Sequence, residues 1–245
     1  MRKEHSPVVK SVDAFELTKA KQTIDQFVYS CSHTLRAPLK SIAGLVYLLT
    51  NNDGNNEIDP KFYLESIEKT VSKMESLLDE FEQFLSNSRL ELSSKPVDIN
   101  KEVTNVLGNF KETITNKKIR VSLIVNQPVD FFTDENRFQV LLSHLVSNAI
   151  VFQKDEEDDK QISIHVTLNS EVCIIKVTDN GIGIKDEAKA EIFRLFYRGS
   201  EQSKGTGVGL YIVCEILNKV GGTISFTSEL KRGSSFLISV PNLTQ

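Results

Sequence analysis

The sequence predicts an α+β chain in two parts: an antiparallel helical hairpin over residues 1–95, completed as a four-helix bundle by a second copy, then an α/β sandwich over residues 96–245 with a helical layer on a mixed sheet. Three observations predict it. Apolar residues in the first part recur in helical steps of three and four. After Ser93–Pro96 the pattern changes to alternation with period two, interrupted by helical stretches. The composition, 40% hydrophobic and 25% charged over 245 residues, suffices for two cores and is not that of a disordered or collagen-like chain.

The first seam runs Ile24, Val28, Cys31, Leu35, Pro38, Ile42, Leu45, Leu49, and the second Leu64, Ile67, Val71, Met74, Leu78, Phe81, Leu85. Between them Asn51–Pro60 is rich in Asn, Asp, Gly and Pro and reads as a turn. Two helices cannot enclose a core alone, so pairing with a second hairpin is the expected solution, a homodimer. Ser93–Pro96 reads as a linker. Beyond it the alternating sets Ile119/Val121/Leu123/Val125, Ile162/Ile164/Val166/Leu168, Ile224/Phe226 and Phe236/Ile238/Val240 predict strands, as does apolar Val172–Val177. Residues 100–116, 134–153 and 208–220 predict helices, and the acidic run 155–159 a solvated loop.

Charge excludes several function classes. Lys plus Arg number 29 against 33 Asp plus Glu, for a net charge of −4 and no basic tract, which argues against a nucleic-acid partner. No apolar run approaches the roughly 20 residues a membrane span needs, and the first residues lack an apolar signal core, so no membrane insertion is expected. Cys31, Cys173 and Cys214 are odd in number and lack metal-ligand spacing, which fits reduced thiols and a cytoplasmic setting.

His33 lies two residues from each of the seam positions Cys31 and Leu35, so 100° per residue turns it to the opposite, solvent side of its helix. Pro38 sits in the same helix and removes the donor that would meet the Thr34 carbonyl beside it. Two glycine clusters follow later. Asp179-Asn180-Gly181-Ile182-Gly183 ends an apolar strand, and Gly205-Thr206-Gly207-Val208-Gly209-Leu210 opens a helix. Glycines admit close backbone approach and a helix N-terminus offers unpaired N–H groups to an anion, which together is phosphate chemistry. No Gly-Lys-Ser/Thr follows, so this is not the P-loop.

In this order the motifs resemble those of two-component sensor histidine kinases. SHTLRAPL (32–39) resembles the phosphoacceptor box, LVSNAIVF (145–152) the asparagine box, DNGIGI (179–184) the first glycine box, IFRLFYRG (192–199) the phenylalanine box and GTGVGLYIV (205–213) the second glycine box. The resemblance spans residues 15 to 245. It implies an ATP-binding catalytic domain over 96–245, with autophosphorylation of His33 and transfer of the phosphoryl group to an aspartate of a response-regulator receiver domain. It implies that Asp179 accepts a hydrogen bond from the adenine amino group and that Asn148 binds Mg²⁺ through its amide oxygen. Gly181, Gly183, Gly205, Thr206, Gly207, Gly209 and Leu210 would line the nucleotide, with Arg198 and Lys204 at the phosphates. Residues between Phe196 and Gly205 would form a lid hinged on Phe193 and Phe196. About twenty residues precede the first seam, so input is expected from an upstream sensor protein or domain.

The sequence departs from the family at four positions. Thr34 stands where a carboxylate usually follows the histidine; a hydroxyl is a weaker base, and slow autophosphorylation is expected. Ala37 stands where Thr or Asn positions water, so weak phosphatase activity is expected. His144 and Val151 replace the Asn and the Lys or Arg of the stripe around Asn148. His144 reads either as a polar contact or as a packed residue, and the lack of a glutamate there argues against a gyrase-like ATPase. These departures keep an alternative open: a degenerate kinase acting as a dimeric scaffold, which the intact glycine boxes oppose.

Overall fold

The computed structural model describes residues 7–51, 59–154, 159–199 and 205–243, with side chains from residue 27 onward. The chain divides into two compact units, residues 1–78 and 79–245.

The first unit is the helical hairpin. Helix α1 runs Pro7–Thr50 and carries Pro38 inside it. Helix α2 runs Pro60–Arg89. Its start follows from two residues: Asp59 accepts the Lys61 N–H through its side chain at 2.9 Å, and Pro60 occupies the first helical position, where no donor is needed. Cys31, Tyr63 and Leu77 are buried. The second predicted seam is displaced by one residue in places: Leu64, Val71 and Leu78 are exposed, while Tyr63 and Leu77 point inward. Adjacent apolar pairs such as Leu77-Leu78 fit either of two stripes, and only one stripe faces α1. The exposed set repeats every seven residues, a second seam that no described residue covers.

The second unit begins with the last three turns of α2. A two-stranded antiparallel ribbon joins β1 (Ser94–Val97) to β3 (Phe131–Asp134). The main sheet has the order β2-β4-β5-β7-β6, from β2 (Ile119–Asn126), β4 (Lys160–Leu168), β5 (Val172–Asp179), β6 (Thr223–Glu229) and β7 (Gly233–Pro241). Among the described strands only β2 and β4 run parallel. Ser93–Pro96, expected as a linker, is instead largely strand β1: a two-stranded ribbon gives few residues for an alternating pattern to show, and Pro96 pairs opposite Phe132.

Helices α3 (Ile99–Asn109), α4 (Lys111–Asn116), α5 (Glu135–Val151), the short α6 (Asp186–Lys189) and α7 (Gly209–Val220) complete the unit. The expected single helix over 100–116 is broken at Phe110. Ile162, Ile164, Val166 and Leu168 are buried while Ser163, His165 and Thr167 face out, so β4 has the predicted polarity. Phe138, Leu141, Leu142 and Leu145 of α5, with Ile212, Val213 and Ile216 of α7, supply the helical side of the core.

One buried arginine fixes the end of α2. Arg137 donates to Asn87 Oδ1 (2.7 Å) and to the main-chain carbonyls of Asn87, Leu90 and Glu91 at 3.2, 2.6 and 3.2 Å. It also pairs with Asp134 at 2.5 Å, and Asp134 in turn caps α5 by accepting the Arg137 backbone N–H. The last carbonyls of a helix have no intrahelical donor, and here a guanidinium supplies them. Burial pushes the Asp134 carboxyl up, but the N–H groups of Arg137 and Ser93 and the guanidinium hold it below its ordinary value.

Candidate functional site

His33 is exposed on α1, as its helical phase predicts. Thr34 is half-buried, and its hydroxyl donates to the Ser30 carbonyl at 2.8 Å. That bond occupies its proton and leaves only oxygen lone pairs for any other contact.

In the second unit both glycine boxes dock on α5, on either side of Asn148. The Asn148 carbonyl accepts the Phe152 N–H at 3.0 Å, and the Phe152 carbonyl accepts the Ile182 N–H of the first box at 2.9 Å. Gly181 fits against that carbonyl because it has no side chain: a Cβ there would lie 2.2 Å from Phe152 O. Four residues before Asn148, His144 meets the second box, where a Cβ on Gly209 would lie 2.9 Å from Nδ1. Each contact thus lies about 6 Å along the helix from Asn148. The Asn148 side chain is half-buried and engages no hydrogen-bond partner among the described residues.

Asp179 closes β5, paired with Ile162 on one side and Ser234 on the other. Its Oδ1 accepts the Gly181 N–H at 2.8 Å. Burial pushes its carboxyl up to about 6, against the opposing pull of the Gly181 and Ser234 N–H groups. Gly233 backs this end of the strand with φ +109°, and a Cβ there would lie 2.1 Å from the Asp179 carbonyl. Gly183, at φ +65°, approaches the Glu229 carbonyl equally closely.

The phenylalanine box is tied to the second glycine box. The Phe196 N–H donates to Gly207 O at 2.8 Å, with Phe196 at φ +62° and Gly207 at +80°. Phe193 packs edge-on to Phe226 with ring centroids 5.7 Å apart, which anchors the segment to the sheet. Gly205 and Arg198 are exposed, and Thr206 and Leu210 half-buried. Lys204 and most of the expected lid lie outside the described residues. An open groove of about 920 Å³ lined by Pro96, Leu123, Val125 and Phe131 contains none of the expected site residues.

The two readings of His144 merge: the ring is packed and also bonded, Nε2 lying 2.9 Å from Gln83 Oε1. Burial pushes its pKa down to about 4, so it is neutral near pH 7. Gln83 is not legible in the sequence as a site residue, nor is Glu80, whose carboxyl lies near the Thr206 hydroxyl, nor the ring contact of Phe84 with Tyr211. The signal was present: Glu80, Gln83 and Asn87 follow one another at helical spacing.

Residues 23–88 match the family model of the His Kinase A (phospho-acceptor) domain, and residues 133–244 that of the histidine kinase-, DNA gyrase B- and HSP90-like ATPase. The chain belongs to the two-component sensor histidine kinases. Among curated relatives, it is 32% identical over 230 residues to the methanogenesis regulatory histidine kinase FilI of Methanothrix harundinacea, covering 92% of this chain and 25% of that one. The histidine kinase chain spans a quarter to a third of the length of the first curated relatives it matches. Among solved structures, full-length ShkA in complex with AMPPNP is 25% identical, with a TM-score of 0.63 over 90% of this chain and 46% of that one. ThkA in complex with the response regulator TrrA, 20% identical, shares the fold with a TM-score of 0.72 over 94% of this chain and 66% of that one.

Proposed function

We propose that the chain is the kinase core of a two-component system, transferring the γ-phosphoryl group of ATP to His33 and then to a response-regulator aspartate. The observation that carries this reading is the docking of both glycine boxes on α5 around Asn148, beside a buried carboxylate at the end of β5. Asp179 accepts the adenine amino group. Gly181 and Gly183 leave room at the base. Gly205, Thr206, Gly207, Gly209 and Leu210 present backbone donors at the start of α7, a favourable end for phosphate. Arg198 adds positive charge there, and Lys204 is assigned to the phosphates from the family resemblance alone. The free amide of Asn148 suits Mg²⁺, a hard cation that takes oxygen ligands and would offset phosphate charge.

In-line attack needs a neutral imidazole, and solvent exposure of His33 allows its approach. The bond forms from a ring nitrogen to the γ-phosphorus as the bond to the β–γ bridging oxygen breaks, leaving ADP. The ring proton needs an acceptor, and Thr34 is a poor one. Two copies of the hairpin are proposed to pair through Leu64, Val71 and Leu78, which one hairpin leaves exposed. No described helix is long and apolar enough to cross a membrane. The cytoplasm is the proposed compartment, where ATP and reduced thiols coexist. An upstream sensor protein or domain is the proposed source of input. Ala37, a methyl group beside the acceptor turn, predicts little phosphatase activity.

Incubation with γ-labelled ATP and Mg²⁺ tests this. Acid-labile label on the wild type, lost in His33→Gln, is the expected result; nucleotide binding without label in either would overturn it. In the same assay Thr34→Glu should label about tenfold faster or more, since a carboxylate can take the ring proton.

A further inference from the structure

The turn joining β6 to β7 grips the first glycine box at three points. The Lys231 N–H donates to the Ile182 carbonyl at 2.7 Å, with Lys231 itself at φ +66°. Gly183, also left-handed, lies so close to the Glu229 carbonyl that a Cβ would come within 2.0 Å of it. The Ile184 N–H donates to Ser228 Oγ at 2.9 Å. Ser228 is half-buried near the end of β6, where it pairs with Ser234 of β7. Its hydroxyl donates to the Gly233 carbonyl at 2.9 Å. With that proton committed, the Ser234 hydroxyl, 3.0 Å away, is the donor between the two side chains. The Ser228 hydroxyl thus uses its one proton and both lone pairs.

These bonds bear on Asp179 from behind. Ser234 is its cross-strand partner, and Gly233 approaches so closely that a Cβ there would lie 2.1 Å from the Asp179 carbonyl. Ahead of Asp179, Oδ1 accepts the Gly181 N–H at 2.8 Å. Ser228 therefore links the backbone behind the carboxylate, at Gly233, to the far end of the glycine box, at Ile184. The turn bearing Asp179, Gly181 and Gly183 is held at both ends. A carboxylate accepts from the amino group of adenine, but guanine carries a carbonyl at the same ring position. Two acceptors then face each other without a proton between them. That discrimination is only as sharp as the carboxylate is fixed, since a loosened one can turn away from the guanine oxygen.

We propose that Ser228 is a positioning residue that sets base specificity: its hydroxyl ties the first glycine box to β7 and so fixes the Asp179 carboxylate where adenine is accepted and guanine refused. Without the hydroxyl, the Ile184 N–H and the Gly233 carbonyl lose their shared partner and the box is free to shift against the strand. The phosphates are met by the other glycine box, at the start of α7, so the loss falls on the base. This rests on the reading of Asp179 as the acceptor of the adenine amino group.

The test measures dissociation constants of ADP and GDP with Mg²⁺, by calorimetry on the full chain, for wild type, Ser228→Ala, Ser228→Cys, Ser228→Thr, Ser235→Ala and Asp179→Asn. The two nucleotides share ribose and phosphates, so the ratio of their affinities isolates the base, and a variant that merely lowers the folded fraction weakens both alike. Expected is an ADP preference that falls at least about fivefold in Ser228→Ala and Ser228→Cys and is restored in Ser228→Thr, which keeps a hydroxyl. Ser235→Ala removes a nearby hydroxyl bonded to Thr178 instead, and its preference should match wild type. Asp179→Asn should lose the preference, because an amide can also donate to guanine. A preference kept in Ser228→Ala and Ser228→Cys, an equal loss in Ser228→Thr, or an equal loss in Ser235→Ala would overturn the positioning role while the adenine subsite stands. A wild type without the preference, or a preference that survives Asp179→Asn, would remove the adenine reading and this role with it. Cysteine is a weak acceptor close to serine in size, so loss of folding in Ser228→Ala alone leaves the test intact.

Discussion

The two units use their apolar residues differently. In the α/β unit, β4, β5, β7, α5 and α7 turn their large apolar side chains inward, and many are fully buried, such as Ile164, Ile175 and Ile238. In the hairpin, Leu64, Val71 and Leu78 form a heptad row in the open, joined on α1 by Val28, Leu39 and Val46. One unit carries a whole core and the other half of one. The first should be stable by itself, whereas the second should depend on concentration, because association supplies its missing half.

That contrast can be broken at several points. The largest effect is expected from Val71→Asp, which places a charge in the open seam. Self-association should weaken by about 100-fold or more, measured by sedimentation, while the melting of the α/β unit stays unchanged. A variant that remains a dimer would mean that something else covers this row. Arg137→Ala should act on the other unit. It leaves Asp134 buried without its partner and three carbonyls without donors, a loss of about 3–5 kcal/mol in urea denaturation. Arg137→Lys should recover little of it, since an ammonium cannot span these five bonds.

A smaller and pH-dependent effect is expected at Asp179. Its carboxyl is raised from 3.8 to about 6 in the folded unit, so its contribution to stability is full below about 3.8 and is lost as pH rises through about 6. At neutral pH the ionised group therefore costs the nucleotide-free domain up to about 3 kcal/mol. Asp179→Asn should raise the neutral-pH stability and flatten this part of its pH profile, while abolishing adenine recognition. In the wild type, nucleotide affinity should fall below about pH 6, where the protonated carboxyl is a weaker acceptor than the carboxylate. A variant with unchanged nucleotide binding would remove Asp179 from the adenine subsite.

How legible each part was depended on how much local pattern it carries. Strands β4 and β7 alternate within nine residues each, and the burial of alternate side chains follows directly. His33 was placed outward by helical phase alone. Strand β1 was lost because Ser, Lys and Pro are turn residues and its pairing with β3 is set by residues nearly forty positions away. The motif residues Asp179, Gly181, Gly207 and Gly209 were legible, but the docking of Gly181 and Gly209 on α5 was not, since it depends on contacts at Phe152 and His144. The last turns of α2 were read as more hairpin. Their polar stripe is weak as a pattern and acquires meaning only from Arg137 and His144.

Pro38 carries a mechanical consequence. A helix of 44 residues is a stiff rod, yet at this one point a rung of its ladder is missing, and the vacant end of that rung is the Thr34 carbonyl. The turn bearing the imidazole is thus the most compliant stretch of an otherwise rigid beam. A side chain that must be met first by a nucleotide and then by a different protein is carried on a spring rather than a post.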